Sequence, residues 1–232
     1  MEKDDAFNYI IRTEGLSRDF HTGSETVHAL RDISVRMESG KLNMLRGRSG
    51  SGKTTLINLL SALDTPDSGK IFFNGEDITA AGEKYRNTMR RKKMGFVFQS
   101  VALISMMSAY ENVEFALRVA GSIPRGEWKK RTEECLALVG LGKRMNHRPN
   151  ELSGGEQQRV AIARAMVHTP DIIFADEPTA ELDTHMGLQV VKLLKSLAEE
   201  HGMTVVMTTH DPSMIEVADC VYTLADGEIV NE

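Results

Sequence analysis

Leu42-Asn43-Met44-Leu45-Arg46-Gly47-Arg48-Ser49-Gly50-Ser51-Gly52-Lys53-Thr54-Thr55 decides the fold of this chain. An apolar run of strand type leads into G-x-x-x-x-G-K-[ST], and a helical pattern follows over Lys53–Ala62. The glycines let the backbone curl so that successive N–H groups point inward at phosphate oxygens. The opening turn of the helix adds partial positive charge at the same point. Lys53 brings a mobile cation for the β- and γ-phosphates, and Thr54 brings a hydroxyl for Mg²⁺. A glycine-rich turn before a helix needs none of this chemistry. The strand before the loop and the Lys-Thr after it mark a nucleotide site spanning Gly47, Arg48, Ser49, Gly50, Ser51, Gly52, Lys53, Thr54 and Thr55.

A second stretch supplies carboxylates. Ile172-Ile173-Phe174-Ala175 reads as a strand buried on both faces that ends abruptly in Asp176-Glu177. Acids at such a strand end are costly unless a cation meets them. Mg²⁺ held by Asp176 meets that need, and Glu177 is placed to orient and deprotonate an attacking water. A third stretch, Leu152-Ser153-Gly154-Gly155-Glu156-Gln157-Gln158-Arg159, is at minimum a capped helix start. It also has the makings of a second anion site: a Ser153 hydroxyl, glycine N–H groups and a helix dipole.

Around these motifs, short β-branched runs alternate with helical patterns, which is the signature of an α/β protein with a largely parallel sheet. Strands are predicted at Asp32–Met37, Leu42–Arg46, Lys70–Asn74, Gly95–Phe98, Asp171–Ala175, Thr204–Thr208 and Cys220–Leu224. Further helices are predicted at Trp128–Val139, Gly154–Val167 and Gly187–Glu200. Asp67-Ser68-Gly69, Asn74-Gly75 and Asp226-Gly227 read as tight connections between strands. The stretch after Ser100 offers helices without a convincing strand. The expected organisation is therefore one domain with a core over residues 1–99 and 159–232 and a helical subdomain over 100–158.

Composition narrows the classes. The 232 residues suit one α/β domain with a small inserted lobe, and 41% hydrophobic content is enough for a real core. A net charge of −5 argues against a general nucleic-acid binder. The basic run Lys84–Lys93 reads chiefly as a solvated helix face, since no aromatic platform beyond Tyr85 accompanies it. Cys135 and Cys220 stand far apart, in no metal-ligand spacing, as two reduced thiols would. No stretch approaches the roughly 18 consecutive apolar residues of a membrane span. The acidic opening MEKDDAFNYI has no apolar signal core. A cytoplasmic chain without direct membrane insertion is expected.

From about Ile11 onward the sequence resembles the ATP-binding cassette (ABC) family. The fold that this implies is a P-loop NTPase (RecA-like) core with a mainly parallel sheet, an N-terminal antiparallel β part and an inserted helical lobe. The resemblance also implies an active ATP hydrolase that uses ATP and Mg²⁺. In that family two subunits pair head to tail, so that the phosphate loop of one and the Ser-Gly-Gly signature of the other sandwich each ATP. This chain is thus expected to form a homodimer or a paired cassette beneath an integral membrane permease subunit. It would lie on the inner face of the cell membrane through that permease.

Single positions match the family pattern in turn. Gln99, after GFVF, is similar to the lid glutamine that touches Mg²⁺ or the attacking water. His210, after TVVMTT, is similar to the switch histidine at the γ-phosphate. Ala180-Glu181-Leu182-Asp183 resembles the dimer-crossing loop, with Asp183 as its acidic member. Phe20 stands where the family commonly has an aromatic on adenine, although an aromatic there equally suits a strand anchored in a core. Two departures stand out: Glu156 where Gln is most usual, which adds negative charge near the partner site, and AELD in place of SALD or GNLD.

The wording VHALRDIS, LDTPDSGKI, RRKKMGFVFQ, ENVEFAL and HRPNELSGGEQQRVAIARA is most similar to one branch. This is the branch of macrolide-efflux, lipoprotein-releasing and antimicrobial-peptide-resistance cassettes, and it implies export, extraction or mechanotransmission. An importer ATPase and a regulator of a cell-envelope enzyme share the same motifs and stay open. The permease is expected to dock near Gln99 and Val101–Asn112, where Leu103, Ile104, Met106 and Met107 cluster. Those four residues equally suit packing inside the helical lobe.

Overall fold

The computed structural model describes residues 9–23 and 25–231; the acidic opening, residues 1–8, lies outside them. A six-stranded sheet forms the centre. It runs β11 (Glu228–Asn231), β10 (Cys220–Ala225), β4 (Leu42–Arg46), β9 (Thr204–Thr209), β8 (Ile172–Ala175) and β7 (Met94–Val97). All its pairs are parallel except the β10–β11 hairpin, which turns at Asp226-Gly227.

Burial on both faces explains why these strands read as apolar runs rather than alternating ones. Successive residues point to opposite faces. Ile173, Ala175, Val205 and Met207 enter one core beneath α3 (Ala109–Ala120), α4 (Trp128–Leu138), α5 (Gly154–Met166) and α6 (Thr184–His201). Ile172, Phe174 and Val206 enter a second core with α1 (Lys53–Leu60). Phe174 is fully buried there, and truncating it to Ala would cost about 3–5 kcal/mol.

The second core is closed by an antiparallel sheet of β1 (Tyr9–Thr22), β2 (Glu25–Ile33), β3 (Arg36–Glu38), β5 (Ser68–Phe73) and β6 (Glu76–Asp77). The predicted strand Asp32–Met37 is not continuous. Asp32 takes a left-handed φ of 52°, β2 stops at Ile33, and β3 begins at Arg36. Thr13 fills the break: its Oγ1 donates to Ile33 O at 3.0 Å and accepts from Val35 N at 2.9 Å. Asp67-Ser68-Gly69 is not a turn between strands either. Ser68 begins β5, and Gly69 lies so close to β1 that a Cβ would stand 2.3 Å from Gly15 O. Asn74-Gly75 does link β5 to β6, with both residues left-handed.

Between β7 and β8 every described α-helix or 3₁₀ turn is helical in kind, and α5 crosses the expected boundary at 158. The basic run forms most of α2 (Glu83–Lys93), whose one buried residue is Met89. No helix among the described residues is long and apolar enough to cross a membrane.

Candidate nucleotide-binding site

The phosphate loop joins β4 to α1. Gly52 is the helix cap at φ 104°, and a Cβ there would stand 2.6 Å from Ala29 O of β2. Glycine is therefore required both for conformation and for space. Ser51 Oγ is buried with no hydrogen-bond partner, an orphan polar group that a phosphate oxygen would satisfy. Lys53 is only 5% exposed. Its Nζ donates to Gly47 O at 2.9 Å and Arg48 O at 3.2 Å, and lies 3.5 Å from Glu177 Oε1.

Asp176 and Glu177 leave the end of β8 beside this lysine. Thr208, buried in β9, fixes both: its Oγ1 accepts from Glu177 N at 2.7 Å and donates to Asp176 Oδ1 at 2.6 Å. Glu177 holds a left-handed φ of 44°, a strain of order 1–3 kcal/mol in a non-glycine residue. That twist turns its carboxylate back between Lys53 and His210, whose Nδ1 donates to Glu177 Oε2 at 3.2 Å. In the sequence Thr208 has no role beyond ending a predicted strand. The available signal was polar Thr208-Thr209 interrupting an apolar buried run just before His210.

A cavity of about 860 Å³ gathers part of the predicted set. Ser49, Gly50, Gly52, Lys53, Thr54 and Thr55 line it together with Phe20, Gln99 and Glu177. Phe20 is 41% exposed, stacked under the Arg18 guanidinium at 5.0 Å, so it does not anchor a core. Gln99 lies two residues beyond β7 and is exposed at the cavity wall. The N–H groups, cations and Thr54 hydroxyl suit a triphosphate, and Thr54 with Asp176 presents the oxygen donors that Mg²⁺ prefers.

Ser153, Gly154, Gly155 and Glu156 do not line that cavity. They begin α5 as a reciprocal cap. Ser153 Oγ accepts from Glu156 N at 3.3 Å, and Glu156 Oε2 accepts from Ser153 N at 2.9 Å. The second of these contacts, with Arg144 Nε 3.6 Å from Glu156 Oε1, turns the Glu156 charge back into its own chain rather than outward. The Ser153 N–H holds this carboxyl below the usual carboxylate range, against the opposing pull of burial. Asp183 caps α6, accepting from Met186 N at 2.9 Å.

A separate groove of about 410 Å³ opens past Gln99, with Phe98, Ile104, Phe115 and Val119 exposed in it and Arg90, Arg91 and Arg164 at its rim. The predicted apolar cluster divides: Leu103 packs on the core, Ile104 faces the groove, and Met106 is 82% exposed. Arg164 donates to Ala102 O at 2.7 Å and Val101 O at 3.2 Å, which ties the segment after Gln99 to α5.

A strand-loop-helix phosphate cradle, two acids at the end of a strand one removed in the same sheet, and a wall aromatic define a P-loop nucleotide-binding protein. The ABC transporter family model matches residues 30–180, and the chain belongs to that family as an ATP-binding cassette. It is 44% identical over 210 residues to an uncharacterized ABC transporter ATP-binding protein of Thermotoga maritima, covering 90% of this chain and 89% of the relative. It is also 44% identical to the macrolide export ATP-binding/permease protein MacB 2 of Yersinia pestis, covering 95% of this chain but 32% of that protein. The fold superposes with TM-score 0.86 at 38% identity on the dimeric cassette MJ0796 of Methanocaldococcus jannaschii, bound to ADP and Pi. That match covers 95% of this chain and 97% of the other.

Proposed function

We propose that the chain hydrolyses Mg-ATP as a head-to-tail dimer and drives a separate membrane subunit, in export, extraction or mechanical transmission. The observation that carries this reading is the division of anion devices. The 860 Å³ cavity is lined by phosphate-loop residues, Phe20, Gln99 and Glu177, while the Ser153 cap stands outside it and exposed, where a second chain's nucleotide would reach it. In this reading Phe20 stacks on the base, and the loop amides with Lys53 hold the phosphates. Thr54 and Asp176, with Gln99, would hold Mg²⁺, which when bound would supply charge neutralisation on the phosphate oxygens. Glu177 orients the water and takes its proton, and His210 keeps the Glu177 carboxylate aimed. Asp183 holds the dimer-facing loop to α6. Residues 100–158 form the lobe that meets the permease, and the apolar groove with its guanidinium rim receives a segment of that subunit.

The export branch rests on the likeness to the macrolide export proteins, of which this chain spans about a third. One experiment tests both halves. Glu177→Gln chain, tagged and purified from its host's membranes with Mg-ATP, is expected to carry a membrane subunit with a large external domain. A many-helix permease with a solute-binding protein would move the assignment to import. Recovery without any membrane protein would leave the ATPase and remove the transporter. Lys53→Ala is expected to abolish ATP binding; unchanged affinity would remove the phosphate-loop assignment.

A further inference from the structure

Beside the nucleotide cavity, and sharing Ser49 and Glu177 with it, lies a second cavity of about 590 Å³ whose wall includes Arg46, Arg48 and His210. Its carboxylate, Glu177, is already engaged by Lys53 and His210. Arg46 donates Nε to Thr223 Oγ1 at 2.7 Å and has no ion pair among the described residues. The exposed guanidinium of Arg48 has neither hydrogen bond nor ion pair among them. This wall is therefore a basic edge without its own counter-charge.

The complementary charge is on the loop between β8 and α6. Glu181 is exposed there and also lacks any partner among the described residues. That loop and the start of α6 pack against the Ser153 cap. A Cβ at Gly154 would stand 3.6 Å from Leu182 Cδ2, and one at Gly155 would stand 2.4 Å from Met186 Cε. The inference rests on the sandwich proposed above. When the Ser153 cap of one copy reaches phosphates in the loop of the other, residues 180–183 arrive beside that loop with it. A carboxylate brought to the edge of a triphosphate site is repelled unless a cation stands between. Arg46 and Arg48 stand at that edge.

We propose that Glu181 of each protomer enters the Arg46–Arg48 cavity of the other, forming an ion pair between copies that closes each nucleotide site from the side. Two-fold symmetry makes the contact twice per dimer. The pair exists only in the closed state, so it stabilises closure without strengthening nucleotide binding by the monomer.

The test is Mg-ATP-driven dimerisation in the Glu177→Gln background, followed by analytical ultracentrifugation, with monomer nucleotide affinity measured alongside. Glu181→Arg and Arg48→Glu are each expected to weaken the dimer about tenfold or more, since reversal sets like charges together. The combined exchange is expected to restore most of that loss. The deficit of Glu181→Ala is expected to shrink as salt rises, as screening requires. Where Arg48→Glu itself weakens nucleotide binding, Arg46→Glu takes its place in the exchange. A combined variant as weak as the product of the singles overturns the pairing while the parent dimer, and the sandwich, stand. Absence of any Mg-ATP-driven dimer in the parent overturns the sandwich instead.

Discussion

Lys53 Nζ lies 3.5 Å from Glu177 Oε1, so the phosphate-loop cation and the strand-end acid neutralise each other across the cavity floor. The lysine also donates to two carbonyls of its own loop. In the proposed reading a bound triphosphate would replace these partners with phosphate oxygens, leaving Glu177 with His210 and free of the lysine.

Glu177→Gln removes the negative charge that competes with phosphate for Lys53. ATP affinity of the monomer is expected to hold or rise, while turnover falls at least a hundredfold, about 2.7 kcal/mol of barrier. Equilibrium binding and phosphate release on the same preparation check both halves, and near parental turnover would remove Glu177 from the chemistry.

Thr208→Val keeps the shape of the side chain and deletes the hydroxyl that joins Glu177 N to Asp176 Oδ1. A stability loss of about 1–3 kcal/mol is expected, because a buried N–H loses its acceptor. Turnover should fall while nucleotide affinity changes little. Thr208→Ser, which keeps the hydroxyl, should recover most of the turnover; equal activity in Val and Ser variants would make the residue merely structural.

Ser153→Arg removes a helix cap worth about 1 kcal/mol and places a bulky cation at the outward anion device. Hydrolysis and Mg-ATP-driven dimerisation should be lost with monomer ATP affinity intact. Loss of monomer affinity would contradict the separation of the two devices.

Glu156 gives a pH signature. Its carboxyl is held low by the Ser153 N–H, so the cap's contribution is complete above the ordinary glutamate value of 4.5. It is lost as pH falls through the lower folded value. Carbon NMR of the Glu156 carboxyl should give a midpoint under that ordinary value; one above it would mean the reciprocal cap is open in solution.

The sequence made the parallel sheet readable because double burial writes continuous apolar runs, as in Ile172–Ala175 and Thr204–Thr209. It hid β1 and β2, which carry mostly polar, half-exposed or exposed residues over Ser17–Thr22 and Glu25–His28 and owe their pairing to partners rather than to pattern. The Asp32 break was unreadable because it depends on Thr13, which lies in another strand. Site residues that carry a motif, such as Lys53, were plain. Thr208 was not, since its role exists only where β8 and β9 lie side by side. The departure at Glu156 could be seen but not explained without Arg144 beside it.

Gly155 receives the tip of Met186: a Cβ at position 155 would stand 2.4 Å from Met186 Cε. The heads of α5 and α6 thus meet through a pliant thioether rather than through backbone, a cushion that yields by turning about its own bonds. A small residue placed at position 155 is expected to be absorbed by that side chain before either helix shifts.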